Sequence, residues 1–243
     1  GSELEKNPYV ITEQNFAVRV LQSSQLGRPS SVAREHHGVF FTHPREAVSI
    51  HTERHPDDPR VTHQFTLDVD DFGNVTREAS IAYARVNAPH AEQGRTWATL
   101  TERRFVNRPG PTNPSDPDPE NHWYRIGVEY EEKTFELTTL PALETGAALL
   151  AFDALKDALD ALDPQDDLAY EDEPGDTTLE RRLIAHRQQV FYGDDLSSTP
   201  LALGALESRA LPYETYQLAL TTGQVSELVS ESAALTAAGT ALT

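Results

Sequence analysis

Side chains able to hold a proton or a metal ion gather in one part of this sequence. His36, His37, His43, His51, His55 and His63 crowd together, and Asp57 and Asp58 stand among them. His51 and His55 are four residues apart, a spacing that suits one metal ion when both lie on a helix. The surrounding residues read instead as a strand running into a corner. On a strand, residues four apart share a face but sit about 13 Å from each other, too far for a shared ion. The stretch is therefore read as structural, with no catalytic residue, no cofactor and no metal. A metal-dependent hydrolase using the His36–His63 cluster stays open as a rival reading.

Other chemistries have weaker support. Neighbouring acids such as Glu129 with Glu131, or Asp70 with Asp71, are expected by chance in an acidic chain. An acid–base couple needs surroundings that separate two pKa values. The sequence has no Gly-x-Ser-x-Gly elbow and no Ser-x-x-Lys. It also lacks a phosphate loop, a Gly-x-Gly-x-x-Gly turn and the βαβ alternation of a nucleotide fold.

Composition narrows the partners. The 243 residues carry 39 acidic and 20 basic side chains, a net charge of -19. Nucleic acid is excluded as a partner, because phosphate contacts need clustered Lys or Arg. Direct binding to an anionic membrane surface is disfavoured for the same reason. There is no cysteine, so neither a disulfide framework nor a thiolate site exists. No apolar run approaches the roughly 18 residues of a membrane span, and no signal peptide is read. Gly1-Ser2 without an initiator methionine reads as a cloning scar on an excised fragment.

The elements that must carry these residues are mostly strands. Asn7–Gln22 alternates apolar and polar residues around Phe16, Val18 and Val20. Ser23–His37 reads as loop. Gly38–Arg54 is a second strand region, interrupted at His43-Pro44-Arg45, where proline marks an edge, a bulge or a strand start. His55–Arg60 (HPDDPR) is a corner set by Pro56 and Pro59, and Arg54 and Arg60 are expected to pair there with Asp57 or Asp58. Phe65, Leu67 and Val69 form the next alternating face. Asp70-Asp71-Phe72-Gly73-Asn74 reverses the chain, with Gly73 and Asn74 suited to positive φ, and Val75–Val86 returns as a strand.

Thr96–Asn107 is a further strand. Arg108–His122 has five prolines and reads as an exposed loop. Trp123–Tyr130 and Thr134–Leu140 read as two β runs separated by Glu131-Glu132. Leu149, Phe152, Leu155, Leu159 and Leu162 recur at helical spacing and predict one helix near residues 145–162. Asp163–Asp176 is an acidic loop. Thr178–Tyr192 is ambiguous: Thr177 and Glu180 fit a capping box, yet Val190-Phe191-Tyr192 favours strand, and strand is chosen. Tyr213–Thr221 is a strand, and Gln224–Ala238 has a weak helical period. The fold class is mainly β: an antiparallel strip or curved sheet of about nine strands with one helix.

The Asp-x-x-Gly-Asn-Val turn resembles the repeat turn of Rhs/YD proteins, in which hairpins lie side by side in a sheet. A longer stretch is more specific. FFTHPREAVSIHTERHPDDPRVTHQFTLDVDDFGNV closely resembles the middle-to-C-terminal region of the B subunit of bacterial insecticidal toxin complexes (Tc toxins, whose B subunit starts with an SpvB-like region). TEQNFAVRVLQ before it and TWATLTERRFVN, RRLIAHRQQVFYGDDL and PLALGALESRALPYETYQLALT after it follow the family's order. Thr52 and His55 depart from the expected tyrosine and asparagine.

The resemblance implies a structural, non-catalytic role. The B and C subunits of the family together form a hollow shell of β strips around the toxic part of C. A propeller in B, absent from this stretch, docks the shell on the channel-forming A subunit. By that reading residues 1–2 are the scar, 3–222 a β-rich shell segment, and 223–243 a flexible or helical tail. His43, Pro44, Arg45 and Glu46 would shape the wall at one point. Arg54, Pro56, Asp57, Pro59 and Arg60 would shape its corner, and Asp70, Gly73 and Asn74 its turn. Implied partners are the C subunit, the A subunit and the enclosed toxin cargo. The complex would be assembled in the bacterial cytoplasm and secreted, and freed edges of an isolated fragment could pair into a dimer. A secreted carbohydrate- or protein-binding module, with a groove lined by Trp97, Trp123 and Tyr124, is the first rival.

Overall fold

The computed structural model describes residues 7–23, 37–111, 115, 122–175 and 177–241. Among them eight strands form one open antiparallel sheet whose spatial order is the chain order. The strands are β1 (Val10–Gln22), β2 (Val39–His51), β3 (Arg60–Val69), β4 (Val75–Ala82), β5 (Trp97–Arg108), β6 (Arg125–Thr138), β7 (Glu180–Phe191) and β8 (Pro212–Gln217). Two α-helices accompany them, α1 (Phe152–Asp160) and α2 (Thr222–Ala241). The chain divides into two compact units, Gly1–Ala98 and Thr99–Thr243. Most of the loop read at Ser23–His37, including His36, lies outside the described residues, as does most of the proline-rich loop at Arg108–His122.

In the first unit, period-two burial shapes β3. His63, Phe65 and Leu67 are buried while Thr62 and Gln64 are exposed. Val48, Ala79, Ile81 and Ala98 complete the buried apolar set of that unit. Two features differ from the sequence expectation. β2 runs unbroken through His43-Pro44-Arg45. Pairing with β1 steps from Asn15↔Glu46 to Phe16↔Pro44, so Arg45 is the extra residue of a bulge. The ladder to β3 begins only at Glu46↔Phe65, which leaves Pro44 outside it and makes its missing N–H harmless there. The return strand β4 also ends at Ala82, before the expected Val86.

In the second unit, β6 is a single strand where two runs with a Glu131-Glu132 break were expected. Its middle holds because Glu131, only 6% exposed, is paired on several sides. The ambiguous Thr178–Tyr192 segment is indeed strand, β7, pairing with β6 from Thr138↔Glu180 to Glu131↔Gln188. Helix α1 is shorter than its apolar period suggested. Gly146 at φ 84 and an extended Ala151 keep the preceding residues out of it, so Leu149 lies on the approach. Leu155 and Leu159, one helical turn apart, are buried. Leu100, Phe135, Leu137, Leu150, Val190 and Phe191 are the other buried apolar residues of this unit.

Helix α2 begins with a reciprocal cap. The Gln224 N–H donates to Thr221 Oγ1 at 3.1 Å, and the Thr221 N–H donates to Gln224 Oε1 at 2.9 Å. That cap starts the helix at Thr222, where the sequence reading still had strand up to Thr221. Between β7 and β8 the chain folds on itself around Asp194. Its carboxylate accepts from the Ser208 hydroxyl at 2.5 Å and from the Arg209 N–H at 3.0 Å.

Candidate functional site

The turn between β3 and β4 is held by its first residue. Asp70 Oδ1 accepts from the N–H groups of Phe72 and Asn74, each at 2.9 Å, and Oδ2 accepts from Asn74 Nδ2 at 2.9 Å. An aspartate that caps its own turn favours reversal locally. Gly73 sits at φ 92. Asn74 does not take positive φ, so glycine alone carries the left-handed step. A Cβ at Gly73 would meet the Phe41 ring at 3.0 Å. Arg19 in turn lies over Phe41, 5.6 Å from its centroid, and donates to Asp71 Oδ1 at 3.1 Å and to the Asp70 carbonyl at 3.3 Å. The turn is thereby seated on β1 and β2.

The bulge in β2 has its own polar kit. Asn15 Nδ2 donates to Glu46 Oε1 at 2.8 Å, and the Glu46 N–H donates to Asn15 Oδ1 at 2.9 Å. Glu46 Oε2 lies 3.3 Å from His63 Nε2. His63 is 3% exposed, with its ring 3.8 Å from that of Phe65 and its Nδ1 3.2 Å from the Tyr83 hydroxyl. Burial lowers the His63 pKa from its ordinary value, against the opposing pull of the Glu46 carboxylate. His63 is a packed core histidine on the same face of β3 as Phe65 and Leu67.

This burial makes the first unit sensitive to acid. The unfolded chain binds a proton at its free imidazole while the folded chain resists it. Stability of the first unit should therefore fall as pH drops below the ordinary value of 6.5. Denaturant melts between about pH 7 and 5 should show this loss, and His63→Gln should flatten it.

The corner differs from expectation. Arg60 pairs with Glu53, and Arg54 stacks over the Tyr9 ring at 4.6 Å; neither takes Asp57 or Asp58. Asp58 accepts from Arg85 at 2.7 Å and from the Asn87 N–H at 3.2 Å. The Asn87 hydrogen bond first, with the Arg85 hydrogen bond and charge, holds its carboxyl below the usual 3.8 against the opposing effect of desolvation. The bend itself is fixed by buried Thr52. Its N–H and that of Glu53 donate to the Tyr9 carbonyl at 2.9 and 3.1 Å, and its hydroxyl donates to the Pro8 carbonyl. Glu53 and Arg54 take φ 49 and 69. Nothing in the sequence pattern singled out Thr52 except that it stands where the resemblance implied a tyrosine. Asp58→Ala should lower the unfolding temperature of the first unit in a thermal melt, and Asp57→Ala should leave it unchanged.

Among the described residues, His43, His51 and His55 have different surroundings. His51 ends β2 opposite Arg60, His55 lies in the corner, and His43 faces the Pro44 carbonyl with Nδ1 2.8 Å from its oxygen. Among the described residues no three His, Asp or Glu side chains could hold one metal ion. Trp97 belongs to the first unit and donates its indole N–H to the Glu92 carbonyl at 2.9 Å. Trp123 belongs to the second and lies under Arg108, 4.3 Å from centroid to guanidinium.

The acids of β6 have partners that the sequence did not show. β5 offers Arg103 and Arg104, β6 offers Glu129, Glu131, Glu132 and Glu136, and β7 offers Arg182, His186 and Arg187. Arg103 Nε donates to Glu132 Oε2 at 2.8 Å, and His186 Nε2 lies 2.8 Å from Glu131 Oε1. Arg182 and Arg187 pair with Glu136 and Glu129. Basic, acidic and basic strands laid side by side specify both neighbour and register. Burial pushes the Glu131 carboxyl up. Hydrogen bonds from Gln188 and His186 and the charges of Lys133 and Arg104 outweigh it, and the net pKa is lowered from 4.5.

Comparison with known proteins bears on this arrangement. Residues 1–108 match the family model of the insecticide toxin TcdB middle/C-terminal region. No curated protein matches the chain. The crystal structure of TcdB2-TccC3 aligns with 95% of this chain and 11% of its own, at TM-score 0.61 and 20% identity. That of TcdB2-TccC3-Cdc42 aligns with 95% of this chain and 10% of its own, at TM-score 0.61 and 19% identity. The Tc holotoxin pore of Photorhabdus luminescens aligns with 95% of this chain and 10% of its own, at TM-score 0.59 and 19% identity. The chain spans about a tenth of the length of these solved chains. At such identities the likeness is one of fold.

Proposed function

We propose that the chain is a non-catalytic wall segment of a Tc-toxin B subunit, a reading supported by the match of residues 1–108 to the model of the insecticide toxin TcdB middle/C-terminal region. In this role it joins a C subunit in a hollow β shell around a toxic effector, which leaves through the A-subunit channel. Residues 3–222 form the wall in this reading and 223–243 the tail. The assembled toxin acts outside the bacterium that makes it. The observation that carries the reading is the alignment of 95% of the chain with the solved TcdB2-TccC3 fold. The internal use of the polar residues agrees with it. The bulge, corner and turn use the carboxylates of Glu46, Asp58 and Asp70 to accept from the Asn15 side chain and from the Asn87 and Asn74 N–H groups. A wall needs that kind of reinforcement and has no use for an acid–base pair.

The test is a chimaera. This chain replaces the aligned segment of TcdB2, and the chimaera is expressed with TccC3. The reading predicts a stable two-subunit particle whose enclosed C-subunit region resists added protease as it does in the parent. A particle that forms but leaves its cargo digested would overturn it.

A further inference from the structure

We infer that one face of the second unit, the polar face of β5, β6 and β7, lines the shell cavity as a non-adhesive surface for an unfolded polypeptide, a step that rests on the wall reading. Alternation gives the strands of this unit two unlike faces. One carries Leu100, Glu131, Phe135, Leu137, Arg181 and Val190, all of them buried. Residues 167–171 lie over it: Asp167 pairs with Arg181, and Leu168, Ala169 and Tyr170 line a cavity with Phe135 and Leu183. The other face carries Arg103 of β5, Glu132, Thr134 and Glu136 of β6, and Arg182 and Arg187 of β7. The register of β6 and β7 brings its members together as Glu132↔Arg187, Thr134↔Ala185 and Glu136↔Arg182. None of these residues is buried.

Charge tells the two sides apart. The whole chain has 39 acids against 20 bases, but on the polar face Arg103, Arg182 and Arg187 meet Glu129, Glu132 and Glu136, and the charges cancel. They also close on one another. Arg103 Nε donates to Glu132 at 2.8 Å and lies 3.8 Å from Glu129, Arg182 Nε donates to Glu136 at 3.0 Å, and Arg187 pairs with Glu129. Beside them Thr215 Oγ1 donates to Gln189 Oε1 at 2.6 Å. Phe105, the large ring that alternation along β5 adds, is half-buried. The connection 139–179, which includes the segment over the buried face, has eleven acids and a single base, Lys156. An excess of one charge keeps a surface soluble and suits the outside of a particle. An unfolded polypeptide is held by apolar patches and by polar groups that lack partners. The polar face meets it with threonine and closed ion pairs, and with no net charge to attract or repel it.

The chain has no cysteine, so single cysteines can report its two sides. In the chimaeric TcdB2 with TccC3, cleared of other cysteines, Thr134→Cys stands on the polar face and Asp166→Cys on the exposed acidic connection. A maleimide on a long polyethylene glycol chain is too bulky to enter a closed particle. It should label Asp166→Cys and leave Thr134→Cys untouched until the particle is denatured. Protease resistance of the enclosed C-subunit region is read on the same particles. Labelling of Thr134→Cys in particles that protect their cargo would overturn the inference and leave the wall reading standing. Particles that never close, with digested cargo, would defeat the wall reading and the inference with it. Arg103→Leu with Glu132→Leu lays apolar surface on the same face while Glu129 keeps Arg187. Closed particles of that variant should deliver their effector more slowly than the parent, and unchanged delivery would overturn the non-adhesive role.

Discussion

Replacing Arg181 by alanine is expected to cost the second unit about 3–5 kcal/mol, a fall of about 10 °C in unfolding temperature for a chain of this size. The Arg181 side chain is 7% exposed. It donates to Glu102 Oε1 at 2.8 Å, and both to Asp167 Oδ1 and, at 3.2 Å, to Asp167 Oδ2. Its guanidinium lies 4.7 Å from the centroid of buried Phe135. Removing the cation takes from Glu102 and Asp167 the buried partner that both of them share. The fork geometry matters as well as the charge, so Arg181→Lys should recover only part of the loss. Arg181→Met combined with Glu102→Leu and Asp167→Asn should recover most of it, since removing a buried ion cluster entirely is closer to neutral than breaking it. Thermal denaturation of the three variants orders them. If Arg181→Ala melts within about 2 °C of the parent, which is under about 1 kcal/mol, the Arg181–Glu102–Asp167 cluster does not stabilise the second unit.

The second large effect belongs to the turn. Gly73→Val should destabilise the first unit by about 1–3 kcal/mol through backbone strain alone, because φ 92 is closed to a β-branched residue. The added side chain also meets Phe41, whose ring stands 3.0 Å from the Cβ position. Asp70→Ala tests the same turn differently. It removes the acceptor of three hydrogen bonds at once, and about 2 kcal/mol is the expected loss for bonds to a charged acceptor. Asp71→Ala is the control. The Asp71 side chain is 91% exposed and pairs only at the surface with Arg19, so little should change. Urea titrations of the four proteins should give midpoints in the order parent, Asp71→Ala, then the other two. A Gly73→Val midpoint equal to the parent's would mean that the turn does not set the hairpin.

Much of the β architecture could be read from alternation. β1, β3 and β5 fall close to where their apolar residues repeat every second position. Their registers depend on local backbone chemistry, which the sequence states plainly in the Asp70–Asn74 turn and in the bulge around Pro44. Longer-range pairing was harder to see. Glu131-Glu132 reads as a break in β6 until His186, Gln188 and Arg104 are known to lie beside it. The corner misled for a related reason: Asp58 looks inward along the sequence to Arg54 and Arg60, but its partner Arg85 comes from the far side of β3 and β4. The two capping-box patterns show that a local motif depends on tertiary context. Thr177 and Glu180 fit the pattern, yet β-branched and aromatic residues draw the following segment into β7. Thr221 and Gln224 fit it equally well and cap α2.

Strand spacing argued against one ion shared by His51 and His55; in the structure His51 ends β2 opposite Arg60 and His55 lies in the corner. The burial of His63 was implicit in its place on the Phe65 face. The role of Thr52 was not, because a hydroxyl that satisfies the backbone of a segment some forty residues away leaves no local trace.

Whether this chain is shell wall can be seen by electron cryo-microscopy of the chimaeric TcdB2 carrying this segment in complex with TccC3. A wall segment should give density for β1 to β8 as eight consecutive strands of a continuous shell, with one face of the sheet lining the cavity. A complex in which the segment forms a separate lobe outside the shell, or in which the sheet breaks and the cavity stands open there, would contradict the wall assignment.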